Sequence, residues 1–242
     1  MNVWRHVIII GATSGLGAEL AKLLAAEGAR VAVMGRREDK LNELAATSPD
    51  NILPFWHDVT DLESVPDLFA QATQALGGLD LLIYAAGVMP EVELDEFDTS
   101  KDALMMDTNV TGAMAWCNLA ATRFQSVGKG TIVGIGSVAG DRGRRGQPGY
   151  NASKAALATY LEALRNRLDR QGVTVVTIKP GPLATEMTAH LDQSKMMPVE
   201  QAAQKCLGKM TRPGEHYLKI THRLIFAVIR LIPGAIFRRL KL

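Results

Sequence analysis

The sequence predicts an α/β fold: a single domain built on a doubly wound parallel sheet with helices on both faces. Three observations predict it. Short, near-continuous apolar runs recur along the chain, the pattern of strands buried on both faces. Each run is followed by a segment whose apolar residues fall at helical spacing. The chain has 242 residues, 47% of them hydrophobic, and no linker, internal repeat or low-complexity tract divides it.

The elements follow in order. "HVIIIG" (6–11) reads as a buried strand and "GAELAKLLAAEG" (17–28) as a helix closed by glycine. "RVAVMG" (30–35) is a second strand, and "EDKLNELAA" (38–46) a charged helix. "NILPFWHDV" (51–59) holds a third strand, in which Pro54 predicts a bend or a sheet edge. "LESVPDLFAQATQALG" (62–77) is a third helix and "LDLLIYAAG" (79–87) a fourth strand. A long helical region covers roughly 99–127, "GTIVGIGS" (130–137) is a fifth strand, and a helix runs over about 149–170. "GVTVVTIKPG" (172–181) is the sixth strand.

A formal net charge of +2 is too small to suggest nucleic acid as a partner. Cys117 and Cys206 lie far apart, which fits a reducing, cytoplasmic setting and gives neither a disulfide framework nor a metal cluster. The five histidines have no ligand spacing, so no metal is expected. "VIII" (7–10) is too short for the core of a signal peptide, and "LIFAVI" (224–229) is too short to span a bilayer.

"IGATSGLGAEL" places Gly11, Thr13, Ser14, Gly15, Leu16 and Gly17 between the first strand and the first helix. Such a loop turns tightly, brings backbone close to a ligand, and ends at a helix N-terminus whose N–H groups and dipole favour phosphate. The spacing is G-x-x-x-G-x-G. At the end of the second strand, an acidic residue would bond a ribose 2′-OH, whereas arginine accommodates a 2′-phosphate. Gly35 stands at that place, with Arg36 and Arg37 after it, which favours NADP(H). The alternative is a pair of solvated arginines and NAD(H) as cofactor.

Ser137 ends the fifth strand, Tyr150 follows thirteen residues later, and Lys154 four beyond that. Each alone could be an ordinary strand-end hydroxyl or helix pair. In this order, with the glycine loop and "PGPLAT" (180–185), they resemble the short-chain dehydrogenase/reductase family, from about Val7 to Thr185. The resemblance implies a Rossmann-like fold and an NAD(P)-dependent oxidoreductase. It implies hydride transfer between nicotinamide and a carbonyl/alcohol carbon, with Tyr150 as general acid/base. Ser137 would hold the substrate oxygen, Lys154 would bond the nicotinamide ribose, and Asn109 in "MMDTNVTGA" would complete a proton relay through water to the lysine. Asp58 and Val59 match the pair beside the adenine, and Ala85, Ala86 and Gly87 match the family's N-A-G. Ala85 stands where the asparagine that braces the sheet is usual. Pro180, Gly181, Leu183 and Thr185 match the loop that binds the nicotinamide amide. The physics agrees: a tyrosine titrates near 10 unaided, and a cation one helical turn away stabilises its phenolate.

Two segments should wall the substrate: 138–149, with Arg142, Arg144 and Arg145, and 186–198, placed like a lid. The arginines read as a solvated basic loop or as a site for an anionic substrate. Met187, Met196 and Met197 could shape an apolar pocket or pack the lid. The catalytic domain is expected over 1–215, and 216–242 as a basic, apolar C-terminal extension without an acidic residue. That extension reads as a peripheral membrane contact or as a face packed on protein. The family resemblance implies a homodimer or homotetramer and a small-molecule substrate. The rival reading is a dinucleotide-binding regulator without turnover; within the enzyme class, dehydration or epimerisation could use the same cleft.

Overall fold

The computed structural model describes residues 4–240. The chain runs β1 (His6–Ile10), α1 (Gly15–Ala26), β2 (Arg30–Gly35), α2 (Glu38–Ala46), β3 (Ile52–Trp56), α3 (Val65–Leu76), β4 (Leu81–Tyr84) and α4 (Thr99–Met106). A π-helical turn, Asp107–Thr111, joins α4 to α5 (Gly112–Val127), so the long helical region is one rod with a register slip. β5 (Gly130–Ile135), a 3₁₀ turn (Val138–Asp141), α6 (Pro148–Leu168) and β6 (Val173–Lys179) follow. The last part holds β7 (Leu183–Ala184), β8 (Met197–Pro198), α7 (Val199–Leu207), β9 (Gly214–Tyr217), α8 (Ile220–Leu231) and α9 (Gly234–Phe237).

Seven strands form one parallel sheet in the order β3-β2-β1-β4-β5-β6-β9. Alternation along the strands explains why their runs are apolar throughout. Val7, Ile9, Val31 and Val33 point into a core closed by Leu20 and Leu24 of α1 and by Ala202 and Cys206 of α7. Ile8, Ile10, Ala32 and Met34 point into the opposite core, closed by Trp116 of α5 and by Leu157 and Leu161 of α6. Both cysteines are buried as small apolar side chains, Cys206 in the first core and Cys117 in the second. β3 is an edge strand, as Pro54 predicts.

The sequence reading stops at six strands. The seventh, "GEHY", is short, polar and half-buried, and it pairs Gly214–Tyr217 with Val176–Lys179. The expected division at 215/216 falls inside this strand, so the segment distinct from the sheet begins after it. Lys241 of the basic segment lies outside the described residues. Residues 186–198 hold two 3₁₀ turns, and the segment is fastened at its base by the β7–β8 ladder.

Candidate active site

The sheet reverses winding between β1 and β4, and a cleft of about 860 Å³ opens beyond the carboxyl ends of these strands. Its floor is the glycine loop. Gly11 has φ +86°, and a Cβ there would lie 2.3 Å from the Ala86 nitrogen; a Cβ on Gly17 would lie 2.2 Å from the Gly11 oxygen. Strand, loop and helix therefore meet backbone to backbone. The Ser14 side chain does not cap α1, and no acidic residue sits in its first turn, so the helix's first N–H groups and positive end remain for an anion. This donor set fits the phosphates of a dinucleotide. Thr13, Gly15, Leu16, Ala85 and Gly87 line the same cleft.

At the end of β2 no carboxylate occupies the Gly35 position, and a Cβ there would lie 2.5 Å from Thr13 Cγ2. The two arginines behave differently. Arg36 is about half exposed and lies 3.8 Å from Asp58 Oδ2. Arg37 donates to Thr13 Oγ1 from Nε (3.3 Å) and Nη2 (3.2 Å), and from Nη1 to Glu186 Oε2 (2.8 Å). Glu186 also accepts from Ser14, and the Arg37 hydrogen bond holds its carboxyl below the usual range. A carboxylate thus already sits on the phosphate-type donors. Asp58 lies behind the wall: its Oδ1 accepts from the Thr60 nitrogen and hydroxyl. Val59 and His57 form the wall itself.

Ser137, Tyr150 and Lys154 converge on the other half of the cleft. Ser137 caps the 3₁₀ turn, accepting from the Ala139 nitrogen at 3.0 Å, and it hydrogen-bonds the Tyr150 phenol. Lys154 Nζ lies 5.8 Å from the Tyr150 ring centroid and donates to the Ile135 carbonyl at 2.9 Å. Burial lowers the Lys154 amine to about 8. Burial also raises the Tyr150 phenol, opposed by the Ser137 hydrogen bond and the positive charge of Arg144. The Ser137 hydroxyl and the Arg144 charge thus both act on the phenol from within the cleft.

Asn109 sits within the π-helical turn, fully buried. Its Oδ1 accepts from the Val88 nitrogen (2.8 Å), and its Nδ2 donates to the Val88 carbonyl (3.1 Å) and to Ser153 Oγ (2.9 Å). Ser153 in turn donates to the Tyr150 carbonyl. The carboxamide is thus occupied in tying the strand β4 exit to α6. A Cβ on Gly87 would lie 3.2 Å from Asn109 Oδ1 and 3.3 Å from Lys154 Nζ, so the missing side chain lets both approach.

The residue before Ala85 supplies a tie of its own between the sheet and the helical layer. Tyr84 is fully buried at the end of β4, and its hydroxyl donates to the Thr108 carbonyl at 2.5 Å. The bond crosses from the sheet to the turn that carries Asn109, and Gly112 leaves room for it. The signal was present as the tyrosine before "AAG", but only the fold shows where its hydroxyl ends.

Pro180, Gly181, Leu183 and Thr185 close the cleft above Ser137, Tyr150 and Lys154, together with Met187, Thr188, His190 and Leu191. Met187 faces the cleft, whereas Met197 is buried in the core beside α7. The three loop arginines separate. Arg144 lines the cleft, Arg145 is exposed, and Arg142 leaves the site to donate to the Arg230 and Ile232 carbonyls at the end of α8. Gln147 was not anticipated. It lines the cleft in a left-handed conformation (φ 59°), with Oε1 buried and unpartnered among the described residues. No metal-binding group of His, Cys, Asp or Glu occurs among the described residues.

Comparison with known proteins agrees with this geometry. The family model for short chain dehydrogenases matches residues 5–196. A protein named as an uncharacterized oxidoreductase of Staphylococcus aureus strain MRSA252 is 32% identical over 210 residues, covering 85% of this chain and 90% of its own. A similarly named protein of Staphylococcus haemolyticus is 32% identical over 212 residues, covering 86% and 92%. The crystal structure of a short chain dehydrogenase from Burkholderia cenocepacia in complex with NADP superposes with a TM-score of 0.83 at 26% identity, covering 99% of this chain and 98% of that one. A seven-stranded parallel sheet, a glycine cradle at its switch point and this extent of matching sequence lead to one conclusion: the chain belongs to the short-chain dehydrogenase/reductase family and is an NAD(P)-dependent oxidoreductase.

Proposed function

We propose that the protein is an NADP(H)-preferring oxidoreductase of a carbonyl/alcohol pair, with Tyr150 as general acid/base. The observation that carries this reading is the convergence of Ser137, Tyr150 and Lys154 on the cleft that the glycine loop floors. Bound there, the nicotinamide supplies hydride to the carbonyl carbon in reduction and takes it back in oxidation. Tyr150 gives its hydroxyl proton to the carbonyl oxygen in the first direction and removes the alcohol proton in the second. Ser137 hydrogen-bonds the same oxygen. As the phenol loses its proton, the nearby amine of Lys154 is favoured as ammonium, and that cation stabilises the phenolate in return. Asn109 serves the relay that returns a proton to Lys154, and Lys154 holds the ribose.

Gly11, Thr13, Ser14, Gly15, Leu16 and Gly17 are assigned to the pyrophosphate, Asp58 and Val59 to the adenine side, and Ala85, Ala86 and Gly87 to the middle of the cofactor. Pro180, Gly181, Leu183 and Thr185 are assigned to the nicotinamide amide, with 186–198 as the lid. Arg36 and Arg37 are assigned to the 2′-phosphate, because no carboxylate stands at Gly35. The NADP in the Burkholderia relative supports that choice. A specific observation favours NAD(H) instead: Glu186 and Asp58 already engage these arginines.

Stopped-flow fluorescence quenching decides between them, with tighter binding of NADPH expected; equal or tighter NADH binding overturns the assignment of Arg36 and Arg37. Screening ketones, aldehydes and alcohols with Tyr150→Phe as control tests the chemistry. A loss of about 10²- to 10⁴-fold in kcat is expected, and unchanged turnover sinks the mechanism. The enzyme is proposed to work in the cytoplasm as a homodimer or homotetramer, with peripheral membrane contact through the C-terminal segment.

A further inference from the structure

The C-terminal segment concentrates the charge of the protein. Residues 216–242 hold six of the 27 Lys and Arg and none of the 25 Asp and Glu, so this segment carries +6 and the rest of the chain −4. Two of these cations, Arg223 and Arg230, lie on the exposed helix α8. No residue of α8 is buried. Its inner side, His222, Phe226 and Ile229, is half-buried against the domain. On the opposite side Ile220, Leu224, Val228 and Leu231 recur at helical spacing, exposed by 67%, 63%, 62% and 83%. Arg223 flanks this stripe, Lys219 precedes it, and Arg238 and Arg239 follow beyond α9. None of these four forms an ion pair among the described residues.

The helix is also tied to the active-site loops. The His222 ring lies on the backbone of Gly181, where a Cβ would come within 2.1 Å of its Cε1. Arg142 bonds the carbonyls that end α8 and stacks 4.7 Å over the Phe237 ring. Arg230 pairs with Asp141 in the turn after Ser137.

We propose that α8 and the residues after it form a docking surface for an anionic lipid bilayer, with the apolar stripe in the interface and the basic residues on the headgroups. This deepens the membrane-contact reading and does not depend on the identity of the substrate. An apolar stripe edged by cations and free of anions is complementary to an anionic, apolar layer. An isologous contact with a second copy would instead set the same cations against one another. The net negative charge of the rest of the chain also favours this orientation, since that part is on balance repelled by such a surface.

The test is co-sedimentation of the full chain with phosphatidylcholine vesicles, with and without phosphatidylglycerol. Binding is expected to the anionic vesicles, at least about tenfold weaker to the neutral ones, and falling as salt rises. Leu224→Glu with Leu231→Glu should reduce it about tenfold or more, while NADPH binding and particle mass by light scattering stay unchanged. No binding of the unmodified chain to anionic vesicles overturns the proposal, as does binding that the double variant leaves intact. A fall in particle mass in the double variant, without vesicle binding, would assign the stripe to a second copy. Binding to polyglutamate but not to vesicles would assign it to an acidic protein. Tyr150→Phe should sediment like the unmodified chain, so failure of the catalytic reading and failure of this one are distinguishable.

Discussion

Two lysines lie buried at the same end of the sheet, and the protein treats them in opposite ways. Among the described residues Lys154 has one hydrogen bond, to the Ile135 carbonyl, and no carboxylate beside it, and burial lowers its pKa to about 8. Lys179, at the end of the neighbouring strand β6, is held 2.8 Å from both Asp141 and Glu215. Asp141 also accepts from Arg230 and from the Tyr217 hydroxyl (2.7 Å). Burial would raise the Asp141 carboxyl, but these donors outweigh it and hold it below its usual range. The difference teaches where structure ends and chemistry begins. A cation enclosed by its partners fastens β6, β9, α8 and the turn after Ser137. A cation denied a partner keeps a proton that it can exchange.

The largest effect should come from breaking the enclosed pair. Lys179→Met leaves two carboxylates with less compensation in a buried place, and it should cost about 3 kcal/mol or more in denaturant unfolding. It should leave the pH profile of turnover in place, because this cluster does not face the reacting atoms. A shifted profile would mean that the two lysines are one system.

Lys154 gives the converse result. Its amine titrates near 10.5 ordinarily and at about 8 when folded, so between those pH values the unfolded chain holds the extra proton. The wild-type protein should therefore gain stability as pH rises from 8 to 10.5, by up to about 3 kcal/mol, relative to Lys154→Met, which has no proton to lose. Parallel curves of stability against pH for the two proteins would show that burial does not depress this amine.

A smaller effect tests how the unpaired side is held in place. Tyr84→Phe removes the donor to the buried Thr108 carbonyl, which should cost about 1–2 kcal/mol. It should lower kcat more than it raises KM, because the turn carrying Asn109 loosens. If kcat is unaffected, Tyr84 braces the sheet only. The smallest effect belongs to the exposed pair at the cleft mouth. Glu186→Gln frees Arg37 and should tighten NADPH binding two- to fivefold, or about 0.5–1 kcal/mol, as befits a solvent-screened contact. Weaker NADPH binding would show that Glu186 positions Arg37 rather than competing for it.

The sequence makes the architecture legible wherever one local signal suffices. The apolar runs of β1, β2 and β4–β6 mark strands because their Val, Ile, Leu and Met residues face one core or the other. The glycine loop, Ser137 and the Tyr150–Lys154 pair are legible because a tight turn and a helical repeat are properties of neighbours in the chain. What escapes depends on distant partners. β9 is too short and polar to announce itself, and it is a strand only because β6 offers an edge. Arg142, Arg144 and Arg145 look alike in sequence, yet one caps a helix 88 residues away, one lines the cleft and one is exposed. The strained Gln147 carries no signal in a loop of glycine and arginine.

By itself, then, the sequence determined a parallel α/β sheet, a glycine loop at its first turn, and the order of the hydroxyl, phenol and amine from which the proposed chemistry is read. These are written in periodicity and in residue type, which need no knowledge of what lies opposite. The tertiary structure alone decided that Lys154 has no carboxylate partner among the described residues while Lys179 is enclosed, that the Tyr84 hydroxyl reaches the Thr108 carbonyl, and that α8 turns an apolar stripe outward. Each of these depends on what burial and charge place within a few ångströms, and those neighbours come from parts of the chain that sequence distance does not connect.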